Sequence, residues 1–331
     1  MFKGVFTLEA SADRLGILRR NRLTYRHKVF QMMLQKMPSL ALAFSLILAG
    51  NAHAEANAGT LKKIADTGVI SLGFHESTPP FTYSTGDGKA LGYSYDIALK
   101  VAEAVKRELK LPKLQIKAVP VTTQNRIATV QNGTADIMCG ATTHTTERQK
   151  VAAFSNTIFV AGSRLMTRKD SGIKDFPDLA GKTVVTFARS TSEKMLLKMN
   201  GEQNYRINIV TTFDRGDTPV SVLQAGQADA YMMDDVLLYA TIPETWRPDE
   251  WMVTGKPQSF EAYGCILPKD DIAFKKIVDQ EIARLMKSGE AESIYRKWLM
   301  SPIPPKRINL NVPMSKEMLD LFKNPNDKPF D

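Results

Sequence analysis

Two short segments of the chain share a pattern: VQNGTADIM, Val130 to Met138, and LQAGQADAY, Leu223 to Tyr231, which start 93 residues apart. In each, a helical pattern ends, a glycine follows, and Ala-Asp opens an apolar strand. Gly133 and Gly226 fit the left-handed position that closes a helix, where any other residue carries strain. A helix–glycine–strand unit used once in each half predicts two α/β lobes. The length of 331 residues agrees with two compact units.

The remaining pattern extends this reading. GVISLGF (Gly68 to Phe74) is a short buried strand, KLQIKAVPV is the next, and GKTVVTF (Gly181 to Phe187) opens a second strand series. Ser94 to Leu109 has apolar residues at Ile97, Val101 and Val105, the spacing of one helix face. NRIATVQ is a further helix, and the run from Asp271 to Leu299 is helical with a break at Gly289. Strands alternating with helices predict an α/β fold of mostly parallel sheets with helices on both faces. Ligands in such sheets bind beyond the carboxyl ends of the strands. That rule selects HESTPPF, TTQNR and GATTHTTER in the first half, and ARSTSE and MMDD in the second. The Pro-rich tail SPIPPKRINLNVP reads as an extended surface strap.

Residues 1–54 differ in kind. A basic approach (Lys28, Lys36), the uncharged run LALAFSLILAG and the small residues Ala52 and Ala54 make a secretory signal ending at Ala54. The run is too short for a comfortable membrane span. This segment holds eight Lys/Arg and two Asp/Glu, so most of the formal +9 belongs to it and the remainder carries about +3. No basic stripe with interleaved aromatics is present, so no nucleic-acid partner is expected. Export places Cys139 and Cys265 in an oxidising compartment, where they can pair; two buried free thiols are the alternative. There is no His/Cys cluster at ligand spacing, no Walker lysine loop and no GxGxxG, so neither a metal nor a cofactor is expected.

Among the residues that can carry chemistry, Arg148 stands out. Thr145 or Thr146 can cap a helix beginning near Glu147, which puts a guanidinium in its first turn, against the helix dipole. With the hydroxyls and N–H groups of Thr142 and Thr143 it can clamp a carboxylate. An ion pair with Glu147 or another acid is the competing use of the same side chain. Asp234 and Asp235 follow an apolar strand, where one can accept an ammonium group or simply cap the next helix. Ser190 to Glu193, STSE, fits a capping box whose free N–H groups can also face an anion. No nucleophile-elbow pattern accompanies the few histidines, which argues against hydrolytic chemistry.

The segments GYSYDIALKVAEAV, NRIATVQNGTADIMCGATTHTTERQKVAAFSNTIF, KDFPDLAGKTVVT, MMDD and KPQSFEAYGCILPKDD together resemble the periplasmic amino-acid-binding proteins of ABC transporters, and within them the glutamate/aspartate-binding branch. The resemblance covers nearly all of residues 58–331. It implies a two-lobed periplasmic-binding-protein type II fold with two hinge crossovers, closing on ligand like a clamp. The first lobe would take residues 57–160 and 258–331, the second residues 161–257. Arg148 is then similar to the arginine that grips the ligand α-carboxylate, with Thr143 and the backbone at Ala141; Asp234 to the acid that holds the α-ammonium; and Thr191 to the residue that closes the carboxylate site. Thr123 and Arg126 match the positions that recognise the side-chain carboxylate. The chain departs from the branch where His75 replaces an arginine, Ala141 a serine and Arg215 a histidine. Arg189 sits in a loop that is one residue longer. His75 would add pH sensitivity at its ordinary value near 6.5.

The resemblance thus implies a monomeric exported receptor that carries glutamate or aspartate to a membrane permease by binding alone. Arg126, Arg215, His75 and Thr123 would read the far carboxylate. The alternatives are a receptor for another acidic amino acid or a dicarboxylate, or a secreted dehydratase on the same fold.

Overall fold

The computed structural model describes residues 59–86, 88–213 and 218–329. The secretory leader expected over residues 1–54, and Arg215, lie outside the described residues. From Gly59 onward the chain is α/β. Helix α1 (Thr60–Thr67) leads into β1 (Val69–His75). A small antiparallel sheet of β2 (Ser77–Thr78), β3 (Thr82–Ser84) and β4 (Ala90–Leu91) follows. Then come α2 (Tyr93–Glu108), β5 (Gln115–Val121), α3 (Arg126–Gln131), β6 (Ile137–Met138) and the single turn α4 (Thr146–Gln149). β1 pairs in parallel with both β5 and β6, as alternating strands and helices require.

The sixteen-residue strand β7 (Ala153–Arg168) carries the chain into a second strand series. Its nearly continuous burial is that of a strand covered on both faces. There β8 (Thr183–Phe187), α5 (Thr191–Gln203), β9 (Asn208–Thr212), α6 (Pro219–Gln224), β10 (Ala230–Asp234), α7 (Asp235–Thr241) and β11 (Trp251–Thr254) succeed one another. β8 pairs in parallel with β9 and β10. Strand β12 (Phe260–Leu267) returns to the first series, and α8 (Ile272–Ser288), α9 (Glu290–Leu299) and α10 (Lys316–Lys323) complete it. The first part of β7 pairs antiparallel with β12 and the second part with β10 and β11. Two strands therefore cross between the lobes, β7 outward and β12 back.

Each lobe has its own core. Ile70, Leu72, Val101, Phe274 and Trp298 belong to one cluster of buried side chains; Leu165, Leu196 and Met232 belong to another. The repeated segment explains how each sheet is started. Asp136 N–H donates to Ser71 O at 2.8 Å, and its Oδ2 accepts from Ser71 N–H at 2.7 Å. Asp229 does the same in the second lobe, to Thr183 O and from Thr183 N–H, both at 2.8 Å. A carboxylate thus ties a strand to its neighbour at the same place in both lobes. Gly133 (φ 74°) and Gly226 (φ 71°) supply the left-handed turn before it.

Cys139, just after β6, and Cys265, in β12, form a disulfide across neighbouring strands, which resolves the choice between paired and free thiols. The tail is tied to the first lobe: Val312 N–H reaches Leu299 O and Thr157 N–H reaches Asn326 O. No helix among the described residues is long and apolar enough to cross a membrane.

Candidate functional site

A cavity of about 240 Å³ is lined from both strand series. Its walls come from the loops at the carboxyl ends of β1, β5, β6, β8 and β10, the places where an α/β sheet presents ligand-binding loops. Of the nine site residues expected from sequence, eight line it: His75, Thr123, Arg126, Ala141, Thr143, Arg148, Thr191 and Asp234. Arg215 is the ninth, outside the described residues.

Arg148 is partly buried on the first-lobe wall. Thr145 caps α4 by accepting from Arg148 N–H at 3.2 Å. The guanidinium is aimed by two carbonyls: Nη1 donates to Thr143 O at 2.8 Å and Nη2 to Arg189 O, in the second lobe, at 3.4 Å. The segment that supplies Thr143 is itself fixed to β12, through an isolated bridge between Thr143 and Tyr263 and bonds from His144 N–H to Ala262 O and Gly264 N–H to Thr142 O. Glu147, the competing partner, is paired with Lys194 instead. No carboxylate of the described residues forms an ion pair with Arg148, although Glu261 and Asp234 are near enough to favour its charge. Burial pulls the other way and lowers its pKa.

Asp234 ends β10 and is 1% exposed. It occupies the cap position of α7 but makes no side-chain capping bond. Its Oδ2 accepts the hydroxyl of Tyr263, and its Oδ1 lies 3.5 Å from Ser163 Oγ. Ser163 also donates to Glu261 Oε1 at 3.2 Å, and Ser259 to the same oxygen at 2.6 Å. Tyr263 is held in turn by an edge-on contact with Phe81, ring centroids 5.2 Å apart. Burial first, and the neighbouring Glu261 second, push the Asp234 carboxyl well above the usual carboxylate range; the Tyr263 bond and Arg148 oppose this. Asp235 instead accepts the N–H groups of Val236 and Gly162.

On the second-lobe wall, Ser190 Oγ accepts Glu193 N–H at 3.0 Å and opens α5, so the positive end of that helix faces the cavity beside Thr191. The capping box is only half formed: Glu193 reaches back to Arg189 N–H, at 2.6 Å, rather than to Ser190. Arg189 has φ 64°, its side chain is exposed, and only its carbonyl takes part in the site.

His75 departs most from expectation. It is 5% exposed, and burial, followed by the charge of Arg126, lowers its pKa to about 3. The ring is therefore neutral around pH 7. The pH sensitivity expected near 6.5 is absent there, because a buried imidazole beside a guanidinium cannot hold a second positive charge.

Several lining residues were not singled out individually from the sequence, although MMDD had marked the segment that holds Met233. Tyr231 and Met233 alternate along β10 onto the cavity face, with Phe187 beside them. Thr218 and Pro219 open α6, and Glu244 stands at the edge. The alternation in AYMMD carries the signal for the first two. For Tyr263, Glu261 and Ser163, the carriers of Asp234, the sequence offers no local signal, since they come from the two crossing strands.

The bacterial extracellular solute-binding proteins, family 3, match residues 70–301. A glutamate/aspartate import solute-binding protein of Salmonella typhimurium is 50% identical over 301 residues, 90% of this chain and 99% of that protein. An L-glutamate/L-aspartate-binding protein of Pseudomonas aeruginosa is 51% identical over 271 residues, 82% of this chain and 89% of that one. Among solved structures, a mutant of ArgBP from T. maritima superposes with a TM-score of 0.63 at 28% identity, covering 72% of this chain and 98% of its own.

Proposed function

Since this chain belongs to the bacterial extracellular solute-binding proteins, family 3, we propose that it captures glutamate or aspartate between its lobes, outside the cytoplasm, and presents the closed complex to a membrane ABC permease. The reading takes residues 57–160 with 258–331 as one lobe and 161–257 as the other; the split pairing of β7 supports that division. One observation carries the ligand. Arg148 and Asp234 line the same cavity without forming an ion pair with each other among the described residues. An α-amino acid answers both, its carboxylate taking the guanidinium fork and its ammonium the Asp234 carboxyl.

The positive end of α5 at Thr191, and the hydroxyl and backbone of Thr143, add donors for the α-carboxylate. Arg126 and Thr123 line the same cavity and would read a side-chain acid, and Arg215 joins them in this reading. A closed site excludes water, so a ligand that leaves these donors unanswered binds poorly. The mechanism is binding, with no bond made or broken. The periplasm, the monomeric state and the permease partner belong to the same proposal.

The test is titration calorimetry of the protein lacking residues 1–54, with glutamate, aspartate and a panel of neutral and basic amino acids and dicarboxylates. Saturable binding of glutamate or aspartate well above that of the dicarboxylates supports the reading. Dicarboxylates binding as tightly as the amino acids would remove Asp234 from its role.

A further inference from the structure

Glu261 lies on β12, one of the two crossing strands, and is 2% exposed. Its Oε1 accepts from Ser163 Oγ at 3.2 Å and from Ser259 Oγ at 2.6 Å, and its Oε2 has no hydrogen-bond partner among the described residues. Ser163, on the other crossing strand, also lies 3.5 Å from Asp234 Oδ1. One hydroxyl therefore stands between two buried carboxyls, and its single proton serves one of them at a time. Tyr263, two residues along the same face of β12, reaches Oδ2 of Asp234. The returning strand thus addresses both oxygens of Asp234, one directly and one across Ser163.

A buried carboxylate is costly unless a cation or donors answer it, and a second one beside it raises the cost. The charges around this pair do not balance it. Asp235, opening α7, adds a third acid and spends its Oδ1 on the N–H groups of Val236 and Gly162. Arg164, whose charge reaches Asp235, is bonded to Gly255 O and to the Tyr239 hydroxyl. Tyr263 stays uncharged, because burial and the surrounding acids push its hydroxyl well above the ordinary value. Arg148, on α4, is a cation whose charge reaches both Asp234 and Glu261, and it forms an ion pair with neither among the described residues. A cation brought into the cavity beside Asp234 supplies the missing charge.

Resting on the reading of Asp234 as the ammonium partner, we propose that Glu261 is a positioning residue for ligand capture, acting through Asp234 across the Ser163 hydroxyl, so that its buried charge makes the site demand a cationic group. Glu261 is not among the residues that line the cavity, so its effect passes through its neighbour. What it controls is the proton on Asp234. Beside a second carboxyl, Asp234 keeps that proton to higher pH in the empty protein, and the proton must leave before the ammonium binds. Glu261 therefore sets the pH range over which ligand is held.

The experiment is titration calorimetry of the wild-type protein and the Glu261→Gln and Glu261→Asp variants with glutamate and aspartate, between about pH 5.5 and about pH 7.5, each variant first shown folded by its thermal melt. His75, lowered to about 3 by burial and Arg126, does not titrate in this window. From the upper to the lower pH the wild type should lose affinity by at least about tenfold, and Glu261→Gln should lose at least about threefold less. Glu261→Asp keeps the charge and should keep the wild-type dependence. A merely structural role shifts the affinity equally at every pH, so parallel curves for wild type and Glu261→Gln overturn the proposal. So does Glu261→Asp behaving like Glu261→Gln, or a wild-type affinity that does not vary with pH. In each of these cases the amino acid still binds and the reading of the cavity stands. If Glu261→Gln does not fold, Ser163→Ala decides: it removes a donor and keeps both carboxyls, so the curve should move to higher pH, and an unmoved curve overturns the proposal. Absence of binding of both amino acids by the wild type overturns the proposal and the cavity reading together.

Discussion

Tyr263, on the strand that returns from the second lobe, donates its hydroxyl to Asp234 at the end of β10. The residue expected to hold the ligand ammonium is thus oriented by a strand that crosses between the lobes. Tyr263→Phe keeps the ring packed against Phe81 and removes only the donor. A hydrogen bond to a charged group is worth about 1.5–3 kcal/mol, so ligand affinity should fall by up to that range, and the melting temperature should fall as well, since the same buried bond holds the ligand-free protein. Calorimetry on the variant checks it, and an unchanged affinity would show that Asp234 needs no such support.

Ligand binding should release a proton. In the free protein, burial and Glu261 hold the Asp234 carboxyl well above its ordinary value, opposed by Tyr263 and Arg148, with Asp235 adding to the upward push. An ammonium group arriving beside it favours the ionised form. Affinity should therefore rise with pH until the carboxyl of the ligand-free protein is itself fully ionised. Binding heats measured in two buffers of different ionisation enthalpy should differ in the sense of proton release, and Asp234→Asn should abolish the difference.

His75 makes the fold acid-sensitive. Its folded value, about 3, lies below the unfolded value near 6.5, so the unfolded chain takes up the proton first. Stability from this group is complete above about pH 6.5 and is lost as pH falls towards 3, by at most ~1.4 kcal/mol per pH unit. Melting curves between pH 7 and 4 should fall less steeply for His75→Leu than for the wild type. Parallel curves would place the acid sensitivity elsewhere.

The Cys139–Cys265 disulfide closes a loop spanning 126 residues. The chain-entropy argument puts a loop of that length at about 5 kcal/mol, and such bridges typically contribute about 2–4 kcal/mol, so removal should cost stability in that range. The Cys139→Ala/Cys265→Ala double variant should unfold at lower denaturant and still bind ligand, since neither cysteine lines the cavity.

Much of the fold was legible because it is written locally. The Gly-Ala-Asp segments could be paired by eye, and their aspartates perform the same strand-tying role in both lobes. Helix periods and strand runs placed α2, β1, β8 and the α8–α9 break at Gly289. Most of the cavity's lining was reached through the resemblance and the rule that ligands sit beyond strand ends. What local reading could not supply is burial and partnership across the chain. The free imidazole value for His75 missed its surroundings, Arg126 and a closed wall. The Ser190–Glu193 box was legible, but the target of Glu193 depended on the left-handed turn at Arg189. The Tyr263–Asp234 and Ser163–Glu261 contacts join residues 29 and 98 positions apart, and no spacing rule connects them.

The most direct measurement is titration calorimetry of Arg148→Ala with glutamate and aspartate, alongside a melt that confirms the fold. Removing one partner of a buried charged contact costs about 2–5 kcal/mol, so the account expects affinity to drop by that amount or binding to vanish. Full-strength binding of both amino acids by the folded variant would contradict it.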